Sequence, residues 1–153
     1  MNKIEKYEKT LNIIENLLSK NGVTNSTENL NDLLDILHRE FKSFSWLGFY
    51  MLSNSKKELL LGEYIGSPAA KVIPINSGVC GKCAREEASV VVPDVSKFDG
   101  HIACSLTTKS EICIPIHLKG EFVGLLDIDS NILNNFDSSD KKYLECIVNQ
   151  IGR

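Results

Sequence analysis

Apolar residues recur at helical spacing over the first part of the chain. Ile4, Tyr7, Leu11, Ile14 and Leu18 fall on one face of a 3.6-residue period and predict a helix. After a polar stretch over 21–29, Leu30, Leu33, Leu34, Leu37 and Phe41 predict a second. The pattern then becomes strand-like. Trp46–Leu52 is rich in aromatic and apolar groups, Ser53-Asn-Ser-Lys-Lys57 reads as a turn, and Glu58–Tyr64 follows as a second strand. Lys71–Ile75 predicts a short strand, Gly78–Glu86 a short helix and Ser89–Val92 another strand. Pro93–Lys109, with its Pro, Gly, Asp and Ser residues, reads as a long loop of the kind that often carries function. Glu111–Leu118 and Glu121–Ser130 predict a hairpin turning at Lys119-Gly120. Asp137 can cap a last helix with the stripe Leu144, Ile147, Val148 and Ile151. Helices, strands, a hairpin and a final helix in this order favour an α+β fold, a mainly antiparallel sheet flanked by helices.

Within the hairpin, period-two alternation puts Asp127 and Asp129 on one face and Leu126 and Ile128 on the other. Val123 and Leu125 should share the acids' face, which implies partial burial. Two acids on a mostly apolar strand are costly unless they serve a pocket or find partners. Glu111 opens the neighbouring strand, so pairing of the two strands would bring three carboxyls together. Such a cluster cannot ionise fully at low cost, and at least one member should keep a proton near neutral pH, as a general acid must. On the first strand, Trp46, Gly48 and Tyr50 share a face that forms an aromatic wall with room at Gly48, or else plain core.

At 153 residues, 42% hydrophobic and 24% charged, the chain suits one domain, 1–153, with a real core. A net charge of −3 argues against nucleic acid as a partner. The charged start lacks an apolar signal core, and no run approaches membrane-spanning length, so a cytoplasmic protein with no membrane partner is expected. In that compartment the five cysteines, Cys80, Cys83, Cys104, Cys113 and Cys146, should be reduced.

Cys104 lies in the long loop, three residues after His101, whose positive charge would promote a thiolate. Equally, it can be an inert buried thiol. Cys113, in an apolar strand, and Cys146, on a helix, read as core residues. Cys80-Gly-Lys-Cys83 together with His101 and Cys104 has spacing that tolerates a zinc site, but the strand predicted between the two pairs argues against a compact knuckle. No metal and no cofactor is therefore expected.

Five segments combine into a specific resemblance: Trp46-Leu-Gly-Phe-Tyr50, Gly78-Val-Cys-Gly81, Phe98-Asp-Gly-His-Ile-Ala-Cys104, Ser110-Glu-Ile112 and Gly124-Leu-Leu-Asp-Ile-Asp-Ser130. In this order the chain resembles GAF domains, and among them the free methionine-(R)-sulfoxide reductases. The resemblance implies a GAF-like fold and a thiol-dependent oxidoreductase. It makes Cys104 the catalytic cysteine, Glu111, Asp127 and Asp129 the substrate-binding and proton-supplying acids, and Trp46 and Tyr50 the wall around the substrate's methyl end. Cys80 matches a second redox-associated cysteine. A third is usual ten positions earlier, where this chain has Ala70. That departure leaves resolution of a sulfenic acid to Cys80 first and to Cys83 second. The implied partners are free methionine-(R)-sulfoxide and a thioredoxin-like reductant, and a homodimer is compatible with the pattern. The rival is a non-enzymatic GAF sensor or binding module, since Ser96-Lys-Phe-Asp99 is similar to a signature of cyclic-nucleotide-binding GAF domains.

Overall fold

A computed structural model describes residues 1–21, 27–101 and 106–151. Cys104 lies outside them. The elements are α1 (Lys3–Asn21), α2 (Thr27–Glu40), β1 (Trp46–Leu52), β2 (Glu58–Ile65), β3 (Val72–Pro74), α3 (Gly78–Glu86), β4 (Val90–Val92), β5 (Ser110–Leu118), β6 (Glu121–Ser130) and α4 (Ser138–Val148). The strands form one sheet in the order β3-β2-β1-β6-β5-β4, and the pairings are antiparallel. The α+β expectation holds. No helix among the described residues is long and apolar enough to cross a membrane.

Alternation along the central strands supplies a different core to each face of the sheet. Leu47, Phe49, Ile112, Ile114, Leu126 and Ile128 point to one side and pack with the apolar stripes of α1, α2 and α4. Trp46, Tyr50, Cys113 and Leu125 point to the other and pack with Val79, Cys80 and Cys83 of α3. A sheet covered on both faces explains why its central strands are apolar almost throughout.

Local chemistry sets the element ends. Lys119 (φ 53°) and Gly120 (φ 81°) are both left-handed, the two-residue turn that matches strand twist in a hairpin. Asp137 caps α4 by accepting from the amides of Ser139 and Asp140, while the Asp140 side chain accepts from the Asp137 amide, a complete capping box. The other oxygen of Asp140 accepts from the Tyr7 hydroxyl at 2.6 Å, which joins α4 to α1.

One alternation fails. The β5–β6 register runs from Ile116↔Gly124 to His117↔Phe122 and skips Val123. Phe122 joins the α3 side and Val123 the opposite side. The expectation that Val123 shares a face with Asp127 is therefore corrected, because a bulge breaks the period of two. Leu125 keeps the acids' face as expected.

Candidate active site

Register brings the chemistry together. Asp127 stands opposite Gly48 on β1 and Cys113 on β5, while Asp129 stands opposite Trp46 and Glu111. Two adjacent cross-strand rows on the α3 face thus hold three carboxyls, a thiol and an indole. Glu111, Asp127 and Asp129 are 3%, 1% and 1% exposed, so this is an interior cluster and not a solvated strand face.

Burial sets their proton affinity. Desolvation, reinforced by the Asp129 charge, raises Glu111 to about 8. Desolvation and then the Glu111 charge push Asp127 well above the usual carboxyl range. His101 lies with Nε2 2.9 Å from Glu111 Oε1. That spacing suits an ion pair, but desolvation lowers the imidazole while Glu111 is raised. Both directions favour neutral partners at neutral pH, with the carboxyl donating its proton to Nε2. The sequence treats His101 as a charge beside Cys104 or a zinc ligand; the fold gives it to Glu111.

Cys113 is the residue that sequence reasoning missed. It reads as core, and it is fully buried, yet its thiol donates to Asp127 Oδ1 at 3.2 Å and approaches Glu111 Oε2 at 3.8 Å. Period two from Glu111 already places it on that acid's face. From the first turn of α3, Cys80 brings its sulfur to 3.6 Å from that of Cys113. The contact with Cys113 lowers the Cys80 thiol, but burial and the neighbouring carboxyls outweigh it and the net shift is upward. Burial likewise lifts Cys113. Cys83 is also fully buried on α3, and burial raises its thiol.

Ligand atoms of Cys80, Glu111, Cys113 and Asp127 lie within 4.8 Å of one another, so among the described residues these are the side chains that could hold a metal. They would have to release the protons that burial holds on them. This is not the quartet weighed from the sequence, since Cys83 and His101 are outside it and Cys104 is not described.

Trp46 and Tyr50 form an aromatic wall that is buried as core beneath α3, without the expected room. Trp46 stacks on Tyr64 at 5.7 Å between centroids and lies 6.2 Å from Tyr50. A Cβ on Gly48 would meet Tyr64 Cβ at 2.6 Å and Trp46 Cη2 at 2.7 Å. Glycine is needed here because the rings close over it. Trp46 Nε1 donates to the Ser67 carbonyl at 2.9 Å and the Tyr50 hydroxyl to the Ala70 carbonyl at 2.7 Å, which ties the segment 66–70 to the wall. Ala70 is therefore placed at this site but has no sulfur to offer. Tyr64, read from the sequence only as the end of a strand, completes the wall from β2. Ser96, in the segment similar to a nucleotide-binding signature, turns its amide and hydroxyl onto Asp94 Oδ1 at 3.0 and 2.7 Å in a local turn.

This geometry has close counterparts. The GAF domain family model matches residues 24–153. GAF domain-containing protein A of Dictyostelium discoideum is 43% identical over 95% of this chain and 90% of its own length. The free methionine-R-sulfoxide reductase of Saccharomyces cerevisiae is 36% identical over the whole of this chain and 87% of its own. A crystal structure of the free methionine-R-sulfoxide reductase from Neisseria meningitidis in complex with its substrate superposes with a TM-score of 0.93, at 34% identity, covering 99% of this chain and 89% of that one. Matched in sequence over its full length and in fold over 99% of it, this chain belongs to the free methionine-R-sulfoxide reductase family of GAF domains.

Proposed function

We propose that this protein reduces free methionine-(R)-sulfoxide to methionine, with Cys104 as the attacking thiol and Glu111 as the acid. The observation that carries the reading is the buried carboxyl cluster, with His101 Nε2 2.9 Å from Glu111 Oε1 and burial raising Glu111 to about 8. Protonation of the sulfoxide oxygen makes its sulfur electrophilic, and a carboxyl whose proton affinity lies near working pH is suited to supply that proton.

The Cys104 thiolate then attacks the sulfoxide sulfur. Oxygen passes to Cys104 as a sulfenic acid, and methionine leaves with the electron pair. Sequence ties Cys104 to this corner, since it is three residues from His101; three residues span at most about 11 Å between α carbons. Trp46 and Tyr50 supply an apolar surface for the methyl end. Asp127 and Asp129 offer carboxyl oxygens to the ammonium. The amides opening α3, where Ser77 makes no side-chain cap, suit the carboxylate. A site that grips both charged ends of an amino acid prefers the free molecule to a residue in a peptide.

A neighbouring thiol condenses with the sulfenic acid, and Cys80 is favoured over Cys83 because its sulfur already faces the acid cluster. A dithiol reductant of the thioredoxin class restores the thiols by exchange, which fits a reducing cytoplasm.

The test is turnover of the R and S epimers of free methionine sulfoxide with a dithiol reductant, for the wild type and Cys104→Ser. Turnover of the R epimer alone, abolished by the substitution, is expected. Equal rates for the two proteins, or no turnover by the wild type, would overturn the reading.

A further inference from the structure

The sulfurs of Cys80 and Cys113 lie 3.6 Å apart, both enclosed between α3 and the sheet. A disulfide needs about 2.05 Å, so roughly 1.5 Å separates contact from bond. The two residues come from different elements, and the closed loop between them would join the first turn of α3 to the middle of β5. Nothing in the proposed reaction so far uses Cys113, although its sulfur touches Asp127, Glu111 and Cys80 at once.

We propose that Cys80 and Cys113 are a reversible dithiol–disulfide couple that receives the oxidising equivalents of turnover and returns Cys104 to its thiol form. The proposal rests on the reaction given above. Its first step is condensation: the Cys80 thiol and the Cys104 sulfenic acid form a Cys80–Cys104 disulfide and release water. In the second, the Cys113 sulfur attacks the Cys80 sulfur, the bond to Cys104 breaks, and Cys104 leaves as a thiolate that takes up the proton lost by Cys113. Across both steps the Cys80 and Cys113 thiols are oxidised by two electrons and the Cys104 sulfur is reduced by two.

Geometry favours the second step in two ways. Cys80 is the shared atom of both disulfides and already touches the incoming sulfur. Asp127 Oδ1 accepts the Cys113 thiol hydrogen at 3.2 Å, which fixes the orientation of the attacking sulfur. Exchange is reversible, so a reductant that consumes the Cys80–Cys104 form draws the buried couple back to thiols. Oxidising equivalents held in the interior would also spare Cys104 from further oxidation in the presence of excess oxidant.

Trypsin places each of the five cysteines in its own peptide: 72–82 for Cys80, 83–85 for Cys83, 98–109 for Cys104, 110–119 for Cys113 and 143–153 for Cys146. Reduced protein is mixed with one equivalent of free methionine-(R)-sulfoxide without reductant, quenched in acid, alkylated under denaturing conditions and mapped by mass spectrometry, with methionine measured in parallel. One methionine per chain and a link between 72–82 and 110–119, with 98–109 alkylated, is the expected result. Methionine formation with the final disulfide on 98–109 and Cys113 alkylated would overturn the couple and leave the enzyme reading intact. Absence of methionine would remove both. In a second arm, folded Cys104→Ser is oxidised with diamide, which needs no sulfoxide chemistry. A link between 72–82 and 110–119 is expected, and failure to form it would overturn the couple whatever the turnover result.

Discussion

His101 Nε2 sits 2.9 Å from Glu111 Oε1, with only 10% and 4% of the two side chains exposed. Desolvation of each moves it toward its neutral form, downward for the imidazole and upward to about 8 for the carboxyl. If Glu111 is the acid of the proposed reaction, its proton is present below about pH 8 and lost above it. Turnover should fall on the alkaline side with an apparent midpoint near that value. Glu111→Gln keeps the shape and hydrogen-bonding capacity but has no acidic proton. Its kcat/KM is expected to drop by about 10²–10⁴-fold, the usual worth of a positioned acid, and the limb near pH 8 should disappear. Steady-state rates from pH 6 to 9.5 check this, and an unchanged limb in the variant would assign the proton to another group.

The same shift bears on folding. The ordinary carboxyl value for Glu111 is 4.5, and the folded value is about 8. Below 4.5 the group is neutral in both states and burying it carries no charge penalty. Between the two values the unfolded chain gives up its proton and the folded one keeps it, so stability falls as pH rises. Above about 8 the buried charge is fully exacted from the folded state. The slope is at most about 1.4 kcal/mol per pH unit for this one group. Asp127, raised by the same burial, acts in the same direction. Urea denaturation at pH 5, 6.5 and 8 should show wild type losing stability faster than Glu111→Gln.

Gly48 is the point where Trp46 and Tyr64 leave no space. Added to those two contacts, a Cβ there would lie 3.1 Å from the Glu63 carbonyl. Gly48→Ala should cost about 1–3 kcal/mol, the usual penalty for forcing a methyl into a packed site. Relief by tilting the indole would stretch its 2.9 Å bond to the Ser67 carbonyl. A raised KM is then expected, with kcat less affected. Trp46 is the only tryptophan of the chain, so its fluorescence reports the displacement directly. An unchanged emission spectrum and melting temperature would contradict the packing described.

Asp140 is 1% exposed and serves three partners: the Tyr7 hydroxyl at 2.6 Å, the Lys3 ammonium at 2.8 Å and the Asp137 amide at 2.8 Å. Asp140→Ala removes half of a capping box and strands a buried hydroxyl. The loss should be about 2–4 kcal/mol, combining a helix cap with an unsatisfied buried group. These contacts lie on the side of the sheet covered by α1, α2 and α4, so KM should not change at a temperature where the variant is folded. A KM shift of more than about threefold would mean that α4 and the acid face are coupled, which the separate packing of the two faces argues against.

Cys83 and Cys80 differ by three positions on α3, yet only Cys80 meets the acid cluster. Cys83→Ala should leave turnover within about twofold, whereas Cys80→Ala should stall after one methionine per chain for want of a resolving thiol. Rapid-quench measurement of methionine release separates the two. Burst kinetics in Cys83→Ala instead would move the resolving role to Cys83.

Much of this was readable in the residue order. Helix α3 begins and ends where its pattern places it, β1 and β6 keep their expected limits, and Asp137 caps α4 as its position suggests. Such features depend on neighbours within a turn or a strand, where propensity, capping and period act directly. The likeness of five short segments to one family went further and identified that family. Cys113 is core as its strand suggests, but its contact with the acids was not legible, because a thiol in an apolar strand has the same local signature whether it meets methyl groups or carboxyls. Room at Gly48 was inferred from a missing side chain, and only the rings of Trp46 and Tyr64 reveal where that space went.

By itself, the order of residues determined the elements, the face on which each acid of β6 lies, and the residue types available for thiol and proton chemistry. Tertiary structure decided who meets whom: Glu111 opposite Asp129, Cys113 opposite Asp127, His101 on Glu111 and Cys80 against Cys113. The physical reason is that these contacts depend on strand register, on a bulge at Val123 that turns the hairpin's far end over, and on how α3 docks. Each of those is settled by burial and hydrogen bonding across the whole sheet, between residues far apart in the chain.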